Sequence, residues 1–324
     1  MGGAGRLYRC AMLNSALRTV MLAAARSQTC RGLAENTALL RPLVDRFVAG
    51  ETVDAVLAAT AALTTDRLVT IDHLGEDTHD RAQADAVVDA YVALLQRLGS
   101  AGFADRAEVS VKLSALGQAL PGEDADKIAL DNARRICAVA AEVGTTVTVD
   151  MEDHTTTDST LGIVAELRAE HPWVGAVLQA QLRRTEADCR ALAGPGSRAR
   201  LCKGAYDEPV SVAYRDRHEV DSSYVRCLKI LMAGDGLPMV ATHDPRLVAI
   251  ARHLAGENGR GPEAYELQML NGVRPDAQQE LAAEGLTMRV YLPYGTEWYG
   301  YFMRRLAERP ANLAFFGRSL LTRS

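Results

Sequence analysis

Short apolar runs rich in β-forming residues alternate with longer, alanine-rich amphipathic segments from Leu68 onward. Each run is followed by a loop and a helix-compatible stretch, so eight strand–helix units are predicted in succession. That order predicts a (β/α)₈ TIM barrel, with a doubly wound parallel sheet as the less favoured alternative. The predicted strands are 68–71, 109–113, 146–149, 174–178, 199–202, 238–241, 265–267 and 288–292.

The residues before the first strand carry helical rather than strand patterns. Residues 12–65 are predicted to hold two or three helical segments, the last over roughly 52–63. We therefore divide the chain into an N-terminal helical segment, 1–65, and a barrel, 66–324. The first 34 residues contain five arginines and no acidic residue, which is typical either of a transit peptide or of an over-long start. We favour extra N-terminal helices preceded by a ragged leader over residues 1–11.

Composition narrows the possible functions and the compartment. The 324 residues have a formal net charge of −5, and the basic residues are dispersed, which argues against a nucleic-acid partner. No apolar run is long enough to span a membrane. Six cysteines are widely separated without a CxxC spacing, as expected for reduced thiols in a cytoplasmic protein.

Polar, chemically capable residues stand at or just past the end of every predicted strand. In a barrel these ends form the active-site face, so the pattern predicts an enzyme. With their immediate neighbours, the strand ends read Asp72 and Glu76, Lys112, Asp150 and Met151, Gln179, Lys203–Gly204–Ala205–Tyr206, Thr242–His243–Asp244, Gln268 and Tyr291.

The last strand leads through a predicted turn at 293–295 into a helix. One face of this helix is charged and aromatic rather than apolar. Tyr301, Arg304, Arg305 and Glu308 are spaced i, i+3, i+4 and i+7 and so share one side of that helix. Adjacent guanidiniums can clamp a carboxylate or a phosphate. Together with Lys112 they favour a small carboxylic acid, since no Gly-rich anion nest precedes them. Glu76 and Glu308 are the available counter-charges.

Two other kinds of chemistry compete with the anion clamp. The run from Asp150 to His154, with His243 and Asp244, has the ligand types of a metal site. Successive strand residues point to opposite faces, however, and no HxH or HExxH motif is present, so we predict no metal. Lys203, at a strand end, could instead form a Schiff base in an aldolase-like lyase. A barrel that senses a ligand without catalysis is a third hypothesis.

Taken in order, several motifs resemble those of the proline dehydrogenases, flavin-dependent (β/α)₈ enzymes that oxidise L-proline. The resemblance covers residues 68–315 and is closest to the short monofunctional bacterial form. The matching segments are TIDHLGE (70–76), VSVKLSALG (109–117), VTVDMED (147–153), VLQAQLRRTEAD (177–188), RLCKGAY (200–206), ATHDP (241–245), YELQMLNGVRP (265–275) and RVYLPYGTEWYGYFMRRLAERPANL (289–313).

The resemblance implies roles for most of these strand-end residues and for residues of the last helix. Lys112, Arg304 and Arg305 would bind the proline carboxylate, Tyr291, Tyr301 and Leu270 would shape the pocket, and Glu76 would pair with Arg304 as a lid. Asp150 and Arg200 would be catalytic, with Arg200 near the flavin N5. The flavin site would contain Asp150, Met151, Gln179, Arg200, Lys203, Gly204, Ala205, Tyr206, Thr242, His243 and Gln268.

The resemblance also implies a cofactor and partners. The cofactor would be FAD, the product Δ1-pyrroline-5-carboxylate and the electron acceptor a membrane quinone, in the first step of proline catabolism. The protein would be cytoplasmic, with possible peripheral contact at the inner face of the membrane. On this reading Lys203 becomes a flavin ligand rather than a Schiff-base nucleophile.

Overall fold

The computed structural model describes residues 41–308, and in this part of the chain eight parallel strands close into one barrel in sequence order. The predicted (β/α)₈ architecture is thereby confirmed. The strands are β1 (Leu68–His73), β2 (Ala107–Val111), β3 (Val147–Val149), β4 (Gly175–Gln179), β5 (Arg198–Cys202), β6 (Leu237–Ala241), β7 (Glu266–Leu270) and β8 (Met288–Tyr294).

Helices precede the barrel and follow its strands. Single 3₁₀ turns at Ser114–Leu116, His154–Thr156 and Pro262–Ala264 lie in the connecting loops. The helices are α1 (Arg41–Val44), α2 (Val53–Leu63), α3 (Arg81–Ser100), α4 (Ala125–Val143), α5 (Thr157–Glu170), α6 (Thr185–Ala191), α7 (Arg217–Ala233), α8 (Pro245–Glu257), α9 (Pro275–Ala283) and α10 (Trp298–Glu308).

The helix predicted over 52–63 is confirmed as α2, which begins after Thr52. The Thr52 hydroxyl accepts a hydrogen bond from the backbone N–H of Ala55 and so caps the helix. The leader over residues 1–11 lies outside the described residues. The division of the chain at residue 65 stays a prediction.

The last strand is longer than its sequence pattern indicated. Pro293 and Tyr294, which we placed in a turn, pair in register with Asp72 and His73 of β1. The prediction failed because proline was taken as a strand breaker. Pro293 lacks an N–H, but its carbonyl accepts a hydrogen bond from Ala49. β7 likewise extends to Leu270, so Gln268 lies within the strand rather than beyond it.

Two apolar cores lie between the strands and the surrounding helices, and a third cluster ties the start of the described chain to its end. In that third cluster Val44 and Phe47 pack with Trp298, Tyr301 and Phe302 of α10. The apolar residues of α10 thus anchor it across the mouth of the barrel. This contact fixes the base from which Arg304 and Arg305 extend.

The interior of the barrel contains an ionic network centred on Glu108 of β2, whose carboxylate is 1% exposed. Arg198 donates to Glu108 Oε2 at 2.5 Å, and Arg200 lies 3.5 Å from Oε1. Arg289 approaches to 4.0 Å and is held by Glu266 at 2.7 Å. Three threonines complete the hydrogen bonds to the Glu108 carboxylate: Thr70, Thr146 and Thr148.

The network keeps Glu108 ionised in spite of its burial. Burial alone would raise the pKa of Glu108, but Arg198, Arg289 and Arg200 outweigh that cost and hold the pKa below its ordinary value. The pKa of Arg289 is raised correspondingly, because Glu266 and Glu108 outweigh its desolvation. Each buried charge therefore depends on its partners.

No helix among residues 41–308 is long and apolar enough to cross a membrane. The cysteines in the same part of the chain, Cys137, Cys189, Cys202 and Cys227, are all thiols.

Glu108→Gln should lower the free energy of unfolding at neutral pH by about 3–5 kcal/mol, because it leaves buried arginines without a counter-charge. Urea denaturation measures the change. Glu166→Gln is the matched control, since Glu166 contacts Arg134 at the exposed surface and should contribute less than about 1 kcal/mol.

Acid should erase the difference between the wild-type protein and Glu108→Gln. The pKa of Glu108 is depressed in the folded state, whereas in the unfolded chain it is about 4.3. The stabilisation is therefore complete above about pH 4.3 and is lost as the pH falls further. A difference that grew on acidification would contradict this assignment.

Candidate active site

Asp150 lies at the centre of the barrel mouth, directly after β3. Its Oδ1 accepts hydrogen bonds from Arg200 at 2.7 Å and from the Ser110 hydroxyl at 2.8 Å. Its Oδ2 accepts from the Tyr291 hydroxyl at 2.6 Å. Strands β2, β5 and β8 thus converge on one carboxylate, and Asp150 is held in a single orientation.

Arg200 connects this mouth to the ionic network below it. The side chain is 4% exposed, and its Nε donates to Gln268 Oε1 at 2.7 Å. Gln268 in turn donates to Glu266 at 2.8 Å. The Arg200 guanidinium also lies 5.4 Å from the centre of the Tyr291 ring. A positive charge is therefore fixed at the floor of the mouth.

Lys112 follows β2 and is paired with Asp72 of β1. Its ammonium lies 2.8 Å from both oxygens of the Asp72 carboxylate, which is 1% exposed. Burial alone would lower the pKa of Lys112, but Asp72, Asp150 and Glu76 together raise it above its ordinary value. Lys112 is therefore a permanent cation at the mouth.

Arg304 of α10 forms an ion pair with Glu76 in the loop after β1. The two guanidinium nitrogens lie 2.5 and 3.2 Å from the carboxylate oxygens, and both side chains are 29% exposed. This bidentate contact joins α10 to the β1 loop across the mouth. The predicted pairing of Glu76 with Arg304 is present in the structure.

Arg304 and Lys112 share their counter-charges. Burial opposes the charged form of each cation, but Glu76 and Asp72 both raise the pKa of Lys112 and of Arg304, so the two positive side chains lie in the field of the same two acids. Arg305 lies with its guanidinium 5.0 Å from the centre of the Tyr301 ring. Glu308 ends α10, but its side chain lies outside the described part of the structure, so its supporting role stays a prediction.

The ends of β6 and β7 contribute further polar groups. His243 Nε2 accepts a hydrogen bond from the backbone N–H of Leu270 at 3.0 Å, which places Leu270 beside the imidazole. Thr242 is buried and its hydroxyl accepts from the N–H of Asp244 at 3.1 Å. The contact between His243 and Leu270 therefore joins the ends of β6 and β7.

Lys203, just past β5, is held by two carboxylates. Its ammonium lies 2.5 Å from Asp221 and 3.5 Å from Asp244, and Arg246 contacts the same two acids. Lys203 is thus engaged as an ammonium in a cluster of charges at the rim. Because its side chain is already held by two carboxylates, the geometry does not support Lys203 as the nucleophile of an aldolase-like lyase.

The loop after β5 depends on a glycine. Gly204 has φ +103°, and a side chain built there would meet Gln181 at 2.4 Å. The loop continues through Ala205 to Tyr206, whose pKa is raised by burial and by the nearby Glu76 and Glu152, with Arg304 opposing. The β5 loop therefore reaches the Glu76–Arg304 pair.

The residues after β3 that have the side-chain types of metal ligands are engaged in other contacts. Gln179 donates to the Glu152 carbonyl at 2.5 Å, Met151 is buried, and His154 bonds to the buried Glu208. In the described part of the chain no group of three or more His, Cys, Asp or Glu side chains could hold a metal ion.

Several residues that organise the mouth were not predicted as site residues. Asp72 was noted at a strand end without a role, Glu152 was considered only as a metal ligand, and Ser110 and Ser114 were missed. Glu152 accepts bonds from Ser114, and burial raises its pKa to about 6 while those bonds oppose the shift. The available signal was a polar residue inside an apolar strand, such as Ser110 between Val109 and Val111.

Comparison with known proteins identifies the family to which these residues belong. Residues 56–318 match the family model described as proline dehydrogenase. The chain is 42% identical to the proline dehydrogenase of Deinococcus radiodurans, over 86% of this chain and 90% of the relative. It is 37% identical to proline dehydrogenase 1 of Bacillus subtilis, over 85% and 90% of the two chains.

A solved structure shares the fold. The chain resembles proline utilization A from Bdellovibrio bacteriovorus, inactivated by N-propargylglycine, with a TM-score of 0.75 and 26% identity. That match covers 86% of this chain and 33% of the longer protein.

Replacing Asp72 by asparagine should lower the pKa of Lys112, because its nearest counter-charge is removed while its burial remains. Lysine labelled with ¹³C at Cε gives four resolvable sites in this chain, namely Lys112, Lys127, Lys203 and Lys229. In an NMR titration, the Lys112 signal should titrate at lower pH in Asp72→Asn than in the wild-type protein. The exposed Lys229 is the internal control, and an unchanged Lys112 titration would refute the pairing.

Proposed function

The chain belongs to the proline dehydrogenase family and oxidises proline with a flavin, and we propose that the flavin is FAD and the final electron acceptor a quinone. We further propose that the product is Δ1-pyrroline-5-carboxylate. The observation that carries the proposal is the set of cations at the barrel mouth. Lys112 and Arg304 are held by the acids Asp72 and Glu76 of β1 and its loop, α10 adds Arg305, and Arg200 lies at the floor.

The residues at the mouth fit a flavin dinucleotide in their chemistry. A flavin ring that gains negative charge on reduction favours a nearby fixed cation, and Arg200 is such a group. Gln179, Thr242, His243 and Gln268 offer donors and acceptors for the polar ring edge. At the rim, Lys203 is a cation that could pair with a diphosphate. Asp150, Met151, Gly204, Ala205 and Tyr206 complete the proposed flavin site.

The substrate carboxylate is the proposed ligand of Lys112, Arg304 and Arg305. Two guanidiniums and an ammonium suit a small carboxylate and fix its orientation. Tyr291, Tyr301 and Leu270 would then border the aliphatic ring. Because Arg304 is bound by Glu76, the two could close over proline as a single ion-paired lid.

The same cations favour loss of the substrate amine proton. A positive charge beside the ring nitrogen disfavours its ammonium form, so the neutral amine is more populated. Loss of a hydride from the ring carbon next to that nitrogen, and of the remaining N–H proton to solvent, would leave a carbon–nitrogen double bond. A bound flavin supplies the hydride acceptor, which amino-acid side chains cannot provide.

Asp150 is proposed to act through orientation. It binds Arg200 and Tyr291 at the same time, so it fixes a cation and an aromatic ring relative to each other. Burial raises the pKa of Tyr291, and Asp150 raises it further. Tyr291 therefore stays a neutral hydrogen-bond donor.

A membrane quinone as acceptor implies contact with a lipid surface. We include peripheral membrane contact in the proposal. Co-sedimentation with phospholipid vesicles that contain or lack a quinone tests it, and equal recovery in the supernatant in both cases would argue against it.

Turnover with trapped product tests the proposed reaction. Protein loaded with FAD is mixed with L-proline, a soluble quinone analogue and o-aminobenzaldehyde, which forms a coloured adduct with Δ1-pyrroline-5-carboxylate. We expect adduct formation that requires FAD, L-proline and the quinone together. Bound flavin without any adduct would favour the ligand-sensing alternative.

Arg305→Met should raise the KM for L-proline by about tenfold or more, because one charged contact to the carboxylate is lost. Flavin content, measured from the absorption spectrum of the purified protein, should not change. Arg252→Met is the matched control, since Arg252 pairs with Glu284 on the outer surface. Unchanged proline kinetics in Arg305→Met would refute the clamp.

A further inference from the structure

Ser114 is a buried junction between two loops at the barrel mouth. It begins the 3₁₀ turn that follows β2 and is 7% exposed. Its hydroxyl donates to Glu152 Oε1 at 2.6 Å, and its backbone N–H donates to Glu152 Oε2 at 3.0 Å. Both carboxylate oxygens thus hold one serine in place.

The same serine binds the loop after β1. The backbone N–H of Asp77 donates to the Ser114 hydroxyl at 3.3 Å. The Ser114 carbonyl accepts from the Thr78 hydroxyl at 3.0 Å and from the Thr78 N–H at 3.3 Å. Three hydrogen bonds therefore connect Asp77 and Thr78, the two residues that directly follow Glu76, to Ser114.

The backbone of Asp77 has a left-handed conformation within this loop. Its φ of +51° lies in the left-handed region, which residues other than glycine seldom occupy. Such a conformation persists where the surroundings determine it. The bonds from Asp77 and Thr78 to Ser114 provide that constraint.

Glu76 is joined to Asp77 by a peptide bond, so the bonds that fix the Asp77 backbone also restrict the position of Glu76. We propose that Ser114, anchored by Glu152, is a positioning residue that sets Glu76 within reach of Arg304. The inference rests on the proposed role of Glu76 and Arg304 as a lid over proline. Beyond that role, it assigns to Ser114, in the loop after β2, the fixed attachment point of the segment that carries Glu76.

Ser114→Ala removes the hydroxyl and with it the hydrogen bonds to Glu152 and from the Asp77 N–H, and should raise the KM for L-proline roughly tenfold. kcat should change by less than about twofold, because the cations on α10 are untouched. Ser114→Thr keeps the hydroxyl and should restore KM. Ser159→Ala is the matched control, since the Ser159 hydroxyl binds Gln118 and Thr156 away from the lid.

A double-mutant cycle with Glu76→Gln separates positioning from general structural damage. If Ser114 acts through Glu76, Ser114→Ala should have no further effect on KM in the Glu76→Gln background. Additive effects would overturn the inference. If Glu76→Gln alone left KM unchanged, the proposed lid would fail instead, so the two failures are distinguishable.

Hydrogen exchange gives a readout that does not depend on turnover. In the flavin-loaded protein without proline, the amides of residues 75–79 should exchange faster in Ser114→Ala than in the wild-type protein or Ser114→Thr. Glu152→Gln, which weakens the anchor and keeps its size, is a second variant expected to act in the same direction. Unchanged exchange of this segment in both variants would overturn the inference.

Discussion

Glu108 carries its charge in the interior of the barrel, and the geometry of the mouth depends on that charge. The arginine that reaches the mouth, Arg200, is held from below by Glu108 and Gln268 and from above by Asp150. Replacing this network by apolar side chains could give an equally stable barrel. It would not present a fixed guanidinium at the floor of the site. The ionic core therefore serves to position Arg200 at the floor of the site.

At the mouth, as in the ionic core, positive side chains are balanced by acids of the same chain. Two of the three cations proposed to bind the substrate carboxylate are already matched with an acid of this chain, Lys112 with Asp72 and Arg304 with Glu76. Paired cations avoid repelling one another and stay oriented before substrate arrives. An incoming carboxylate then adds to an existing arrangement of charges, so the reorganisation required on binding is small.

The sequence predicted the barrel because eight short apolar runs recur with helical segments between them, and every strand was found within a few residues. It predicted the strand-end residues because barrel chemistry lies at those ends. The ionic core was not predicted, since Glu108, Glu266 and Arg289 lie near strand starts and meet only after the barrel closes. Ser114 was missed for a related reason: its partners, Glu152 and Asp77, are distant in sequence and belong to different loops. Pro293 was misplaced because a local rule was applied where its carbonyl, not its nitrogen, makes the bond.

The most direct test of the account is the visible absorption spectrum of the FAD-loaded protein, recorded anaerobically before and after addition of L-proline without an external acceptor. The account predicts that the oxidised flavin band is bleached by L-proline, and that tetrahydrofuroate, an anionic analogue without the ring nitrogen, slows the bleaching without causing it. A bound flavin whose spectrum is unchanged by saturating L-proline would contradict the assignment of this barrel as a proline dehydrogenase.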